Sequence, residues 1–206
     1  MKNTVDPTTS AEAEELCRRA REFGGRGWTP ATSGNYSIRL DDGRILITRS
    51  GVDKRRLDPS GLMLLAADGQ PADAARPSAE AGLHVQIYRL FPDICAVLHV
   101  HSPHATVASR KARTNGSIRL QDYELLKALD GIDTHDGAIE LPVVDNDQNI
   151  ERLEQAVLPW LTRESAPPGY LIAGHGIYAW GRSVADAARH LEAFDFLLQC
   201  HLMEQR

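Results

Sequence analysis

The chain reads as a single-domain α/β protein in which helices flank a largely antiparallel or mixed sheet. Three observations carry that reading. Helical spacing of apolar residues marks both ends of the chain, and short alternating segments joined by tight turns lie between them. The 206 residues are 42% hydrophobic and show no internal repeat, enough for one sizeable core across residues 1–206. Tight connections favour antiparallel pairing, because a parallel crossover needs a dozen residues or more.

Residues 11–23 set Leu16, Cys17, Ala20 and Phe23 at three- and four-residue steps among charges, which predicts an amphipathic helix with Thr9 and Ser10 as candidate caps. After Gly24-Gly25-Arg26-Gly27, residues 35–40 alternate, Asp41-Asp42-Gly43 turns, and residues 44–48 complete a predicted β-hairpin. Residues 62–67 are expected as a short strand before Asp68-Gly69. Residues 80–91 carry helical spacing through Leu83, Ile87, Leu90 and Phe91, and that helix feeds the apolar run Ile94-Cys95-Ala96-Val97-Leu98. Further on, the pattern predicts a helix over 122–129, a strand over 139–144 and a helix over 149–161, before Pro167-Pro168-Gly169 interrupts it. Residues 170–173 and 176–180 read as two strands meeting around His175. Ser183, with Asp186 three residues on as a capping-box variant, opens a long final helix over 184–203.

Composition excludes several classes. Lys and Arg total 23 against 28 Asp and Glu, a net charge of −5, so no broad basic field is present to hold nucleic acid. No apolar stretch approaches a membrane span, and the polar start Met1-Lys2-Asn3-Thr4 lacks a signal-peptide segment, so a cytoplasmic location is expected. Cys17, Cys95 and Cys200 form neither a disulfide framework nor a zinc knuckle, and each reads as a core residue. Cys95 is also in phase with the histidines that follow it, which leaves a place beside a metal open.

The chemical signal begins at His99-Val100-His101. Alternate side chains of a strand leave one face about 6 to 7 Å apart, so two imidazoles there can grip one cation. His175, within Ala173-Gly174-His175-Gly176-Ile177, supplies a third candidate whose small neighbours leave room for a ligand. Three neutral ligands with an open position suit a catalytic site better than a closed structural one. Two half-buried strand histidines would show the same spacing; the strand-end position before Ser102-Pro103-His104 favours the metal.

His104, behind a proline, reads as a loop residue rather than a ligand. His84 is expected in the core or in support of the site, His135 in solvent, and His190 and His201 at surface or packing positions. The stretches Ala31-Thr32-Ser33-Gly34-Asn35 and Thr48-Arg49-Ser50-Gly51 could cradle a phosphate through backbone N–H groups, although hairpin turns look alike. Glu80 and Glu124 each fall near a predicted helix start, where acidic residues ordinarily serve as caps or dipole partners.

These residues together carry a resemblance. Trp28-Thr29-Pro30-Ala31-Thr32-Ser33-Gly34-Asn35, Pro77-Ser78-Ala79-Glu80, His99-Val100-His101 and His175-Gly176-Ile177-Tyr178-Ala179-Trp180-Gly181 make nearly the whole chain similar to the class II aldolase/adducin family. The resemblance implies a three-layer α/β/α domain with a mostly antiparallel central sheet. It implies that His99, His101 and His175 bind one Zn²⁺ per subunit, in a homotetramer. Asn35, Ser50, Gly51 and Ser78 fall where aldolase members hold the substrate phosphate, with Arg49 replacing a proline. Glu124 matches the acid/base of dehydratase members, and Glu80 the carboxylate beside the metal in aldolase members. The function implied is loss of water from a methylthio-substituted ketose 1-phosphate without a redox cofactor. The rivals are retro-aldol cleavage of a ketose 1-phosphate and a non-catalytic adducin-like module.

Overall fold

A computed structural model of the protein describes residues 10–72 and 74–205. Its strands are β1 (Asn35–Arg39), β2 (Ile45–Thr48), β3 (Leu62–Leu65), β4 (Ala96–Val100), β5 (Ser117–Gln121), β6 (Ala138–Val144), β7 (Gly169–Ile172) and β8 (Gly176–Gly181). Its α-helices are α1 (Ala11–Gly25), α2 (Ala81–Leu90), α3 (Pro103–Lys111), α4 (Ile150–Leu161) and α5 (Val184–Glu204). All eight strands join one sheet, in the order β3-β2-β1-β4-β8-β7-β6-β5. Every neighbouring pair is antiparallel except β6 and β7, which α4 connects as a crossover.

The sheet separates two apolar layers, as the pleat requires. On one face Leu16 and Phe23 of α1, Ala105 of α3 and Leu191, Phe194 and Leu198 of α5 pack on Tyr36, Leu98, Leu171 and Ile177. On the other, Leu83 and Ile87 of α2 and Leu153 and Val157 of α4 pack on Ile47, Val97, Tyr170 and Trp180. The architecture is therefore three-layered, α/β/α, with a mostly antiparallel sheet. Each fully buried leucine or isoleucine contributes about 1.5–3 kcal/mol, so the two layers fix the sheet from both sides. Among the described residues no helix is long and apolar enough to cross a membrane.

Ser10 caps α1 by accepting from the Ala13 N–H at 3.1 Å; Thr9 lies outside the described residues. Ser183 caps α5 through the Asp186 N–H at 3.0 Å, as its spacing predicts. Residues 122–129 do not form the expected α-helix. Asp122 sits at φ +61°, and only a short 3₁₀ segment, Glu124–Ala128, follows before the chain becomes extended at Leu129. Helix α3 and strand β5 have no counterpart in the predicted elements. Ser102 and Pro103 do not end the strand in a loop; Ser102 accepts from the Ala105 N–H at 3.1 Å and Pro103 occupies the first helical turn. His104 is thus a helix residue, 3.0 Å from Asp195. Cys17 is buried, but Cys95 is exposed just before β4, at the end of the strand away from the histidines, which removes a role beside the metal.

Candidate metal centre and carboxylate

Strand β4 carries His99 inward, on the face covered by α2, and delivers His101 at its C-terminal end. The turn between β7 and β8 places His175 beside them, because β4 and β8 pair His99 with Tyr178 and Val100 with Ile177. Gly176 is required at that crossing: a Cβ there would collide with the Val100 carbonyl oxygen and press on His99 Cε1. Gly34 is constrained in the same way. It sits at φ +77°, and a Cβ would lie 2.7 Å from the His99 carbonyl oxygen.

The three Nε2 atoms converge, with separations of 2.9 Å (His99–His101), 3.0 Å (His101–His175) and 3.3 Å (His99–His175). Three nitrogens about 2.0–2.1 Å from one tetrahedral ion would stand roughly 3.3–3.4 Å apart. His99 Nδ1–H donates to the Ile177 carbonyl at 2.9 Å, so its Nε2 carries the lone pair. Burial pushes the pKa of His99 down to about 4 and that of His101 to about 3, keeping both neutral. Three imidazole nitrogens facing one point suit a divalent cation, and His99, His101 and His175 form a group able to hold one. The Thr106 hydroxyl fixes the His175 backbone by donating to its carbonyl at 3.0 Å.

Glu80 stands against the same nitrogens. Its Oε1 is 3.1 Å from His175 Nε2 and its Oε2 is 3.3 Å from His99 Nε2. It occupies the position preceding α2, yet its side chain makes no capping bond. Instead Oε2 accepts from Asn35 Nδ2 at 2.8 Å and from the Tyr178 hydroxyl at 2.7 Å. Burial alone would raise its pKa; the hydrogen bonds it accepts outweigh that and hold it below the usual carboxylate range, so it stays ionised.

Behind Glu80 runs a chain of buried bonds whose donors can be assigned. With the Asn35 nitrogen turned to Glu80, its amide oxygen accepts from His84 Nε2. His84 Nδ1 then accepts from the Ser37 hydroxyl at 2.7 Å, which accepts from Tyr88 at 2.8 Å. Burial lowers the His84 pKa to about 3, so it remains a neutral member of this chain.

The two small-residue stretches meet beside the carboxylate. A cavity of about 340 Å³ is lined by Ser33, Gly34, Asn35, Arg49, Ser50, Gly51, Lys54, Ser78, Glu80 and His101 among others. Ala31 and Thr32, at φ +51° and +65°, hold left-handed backbone at its rim. Four of the expected phosphate-binding residues, Asn35, Ser50, Gly51 and Ser78, are therefore together, although the Asn35 amide is committed to Glu80 and His84. Arg49 also lines this cavity, with its Nε donating to the Leu62 carbonyl at 2.9 Å. Lys54 escaped the sequence reading. It is only 2% exposed, its Nζ donates to the Thr32 carbonyl at 2.7 Å, and burial lowers its pKa to about 8. Its position three residues after the Ser50-Gly51 turn was the available signal.

Glu124 is not brought to the histidines within one chain. It follows β5, four strands from β4, and the antiparallel register puts that end of β5 at the opposite end of the sheet from His99. Its side chain is 72% exposed, paired with Lys127 and 3.7 Å from His135. His135 is exposed as expected, and His190 is buried against the Trp180 carbonyl at 2.7 Å.

The chain is 52% identical over 192 residues to a methylthioribulose-1-phosphate dehydratase of Methylococcus capsulatus, covering 93% of each chain. It is 50% identical over 201 residues to the protein of that name from Xanthomonas campestris pv. campestris, covering 95% of this chain and 92% of that one. Among solved structures, YgbL of Escherichia coli superposes with a TM-score of 0.78 at 26% identity over 92% of this chain and 87% of its own. The L-fuculose-1-phosphate aldolase of Thermus thermophilus shares the fold at TM-score 0.71 and 24% identity, covering 93% of this chain and 92% of its own. The family model for the class II aldolase and adducin N-terminal domain matches residues 14–202, a span that includes the histidines, Glu80 and the cavity beside them. The chain belongs to the class II aldolase and adducin family.

Proposed function

We propose that this protein dehydrates 5-methylthioribulose 1-phosphate to 2,3-diketo-5-methylthiopentyl phosphate, with zinc at His99, His101 and His175. The carrying observation is the convergence of three imidazole Nε2 atoms on one point beside a carboxylate, in a chain half identical to dehydratases over nearly its full length. When bound, the ion supplies Lewis-acid polarisation of the C2 ketone and C3 hydroxyl oxygens.

The protein's own groups do the rest. Ser50, Gly51, Ser78 and Lys54 line the cavity of a size and polarity to hold the phosphate, with the backbone of Asn35 at its edge. Glu80 Oε1 accepts the C3 proton, while the bonds from Asn35 and Tyr178 to Oε2 hold the carboxylate in place. The C4 hydroxyl leaves as water after taking a proton from Glu124, and the resulting enol tautomerises to the diketone. A carboxyl at the far end of the sheet reaches this site only from a second copy of the chain, which is why a homotetramer belongs to the proposal.

The test is turnover of the purified protein on that compound. Diketone absorbance should appear, vanish with a chelator, return with zinc, and accompany about one zinc per chain. His99→Ala should lose metal and activity, whereas Glu124→Gln should keep metal and lose activity. Co-expressing the two inactive chains should restore part of the activity. Release of dihydroxyacetone phosphate without diketone would overturn the reaction, and no recovery in mixed oligomers would overturn the role of Glu124.

A further inference from the structure

His101 lines two cavities. Besides the polar one that holds Ser50, Ser78 and Lys54, a second of about 520 Å³ is walled by Pro30, Pro103, Thr106, Val107, Asn146, Gly174 and His175. His101 is the single residue common to both linings.

The second cavity differs in chemistry. Apart from its two histidines no ionisable side chain lines it, and the Thr106 hydroxyl is already engaged with the His175 carbonyl. Pro103 and Val107 stand one helical turn apart on α3 and so share a face. Val107 is 48% exposed, one of three large apolar side chains so exposed among the described residues. Pro30 is brought opposite because the His101 N–H donates to the Trp28 carbonyl at 2.8 Å, tying that segment to the end of β4.

We infer that this second cavity receives the methylthio end of the substrate, with Pro30, Pro103 and Val107 as the surface the thioether packs against. The inference rests on the dehydratase reading above and deepens it. A ketose phosphate whose C2 and C3 oxygens meet at the histidines sends its phosphate, on C1, and its sulfur, on C5, out from opposite ends of the C2–C3 bond. It needs two compartments of opposite polarity that share a wall at the ligands, and the two cavities joined at His101 supply them. A thioether has no hydrogen-bond donor and only a weak acceptor, so proline and valine walls recognise it by contact area alone.

The experiment compares kcat/KM for 5-methylthioribulose 1-phosphate and 5-deoxyribulose 1-phosphate, which keeps the phosphate and the C2 to C4 groups but lacks the methylthio group. The native protein should prefer the methylthio compound by roughly ten- to a hundredfold, the range a small apolar group commands in a fitted pocket. Val107→Asp should narrow that ratio to within about threefold, while Val107→Ile preserves most of it. Because Val107 is exposed on α3, the aspartate is accommodated without repacking of the core. A ratio unchanged in Val107→Asp overturns the inference, as does a native protein that dehydrates both compounds equally. A native protein that dehydrates neither compound overturns the dehydratase reading itself.

Discussion

Tyr178→Phe isolates a single bond on the carboxylate we assign to proton removal. The hydroxyl donates to Glu80 Oε2 at 2.7 Å, and the ring stacks on His99 with centroids 4.1 Å apart and on Tyr170 at 4.9 Å. Phenylalanine keeps both stacks, so the histidines should stay in place and the metal should stay bound. A hydrogen bond to a charged group contributes about 1.5–3 kcal/mol, and each 1.4 kcal/mol is roughly tenfold in a population or rate. Asn35 Nδ2 still holds the same oxygen, so the lower end applies and kcat should fall about tenfold. The assay is initial-rate formation of the diketone, read alongside zinc content and the thermal unfolding midpoint. A kcat within twofold of the native value, with metal intact, would refute the claim that Tyr178 anchors the proton acceptor.

Two further outcomes follow from the same geometry. Gly176→Ala forces a methyl group into the Val100 carbonyl and against His99, so it should lower stability by at least about 2 kcal/mol and reduce zinc content, measured by denaturant unfolding and metal analysis. Lys54, with its pKa lowered to about 8, is charged below that value and neutral above it, so KM should rise as pH passes about 8. In Lys54→Met, KM should be roughly tenfold higher at pH 7 and flat across that range; a flat native profile would exclude the lysine from phosphate binding.

The fold was largely legible because its elements obey local rules. The hairpin of β1 and β2, the capped ends of α1 and α5 and the strands flanking His175 each fall within two residues of expectation. What was missed had local signals that a stronger one masked. Ser102-Pro103 is a good helix start, but beside a histidine-bearing strand the proline read as a breaker. Strand β5 alternates buried Ile118 and Leu120 with exposed Arg119 and Gln121, yet it is only five residues long. Residues 122–129 have helical spacing of leucines, but the left-handed Asp122 and the extended Leu129 leave room for only a short 3₁₀ segment.

At the site, the histidine set was legible because two of its members share a strand and the third sits among small residues. Glu80 was harder. An acidic residue at a helix start predicts a cap, and only the long-range approach of Asn35 and Tyr178 turns its carboxylate toward the histidines instead. Lys54 carries only its place three residues after the Ser50-Gly51 turn: a lysine in a charged turn reads as solvent-facing, and its burial depends on Thr32 arriving from 22 residues earlier.

The two histidine sources lie 74 and 76 residues apart along the chain and meet only through the pairing of β4 with β8. Until that pairing closes, a newly made polypeptide holds together only two of the three converging imidazoles. Completion of that set must therefore wait for release of almost the entire chain from the ribosome, and a product truncated before residue 175 should emerge from synthesis without a tight hold on a divalent cation.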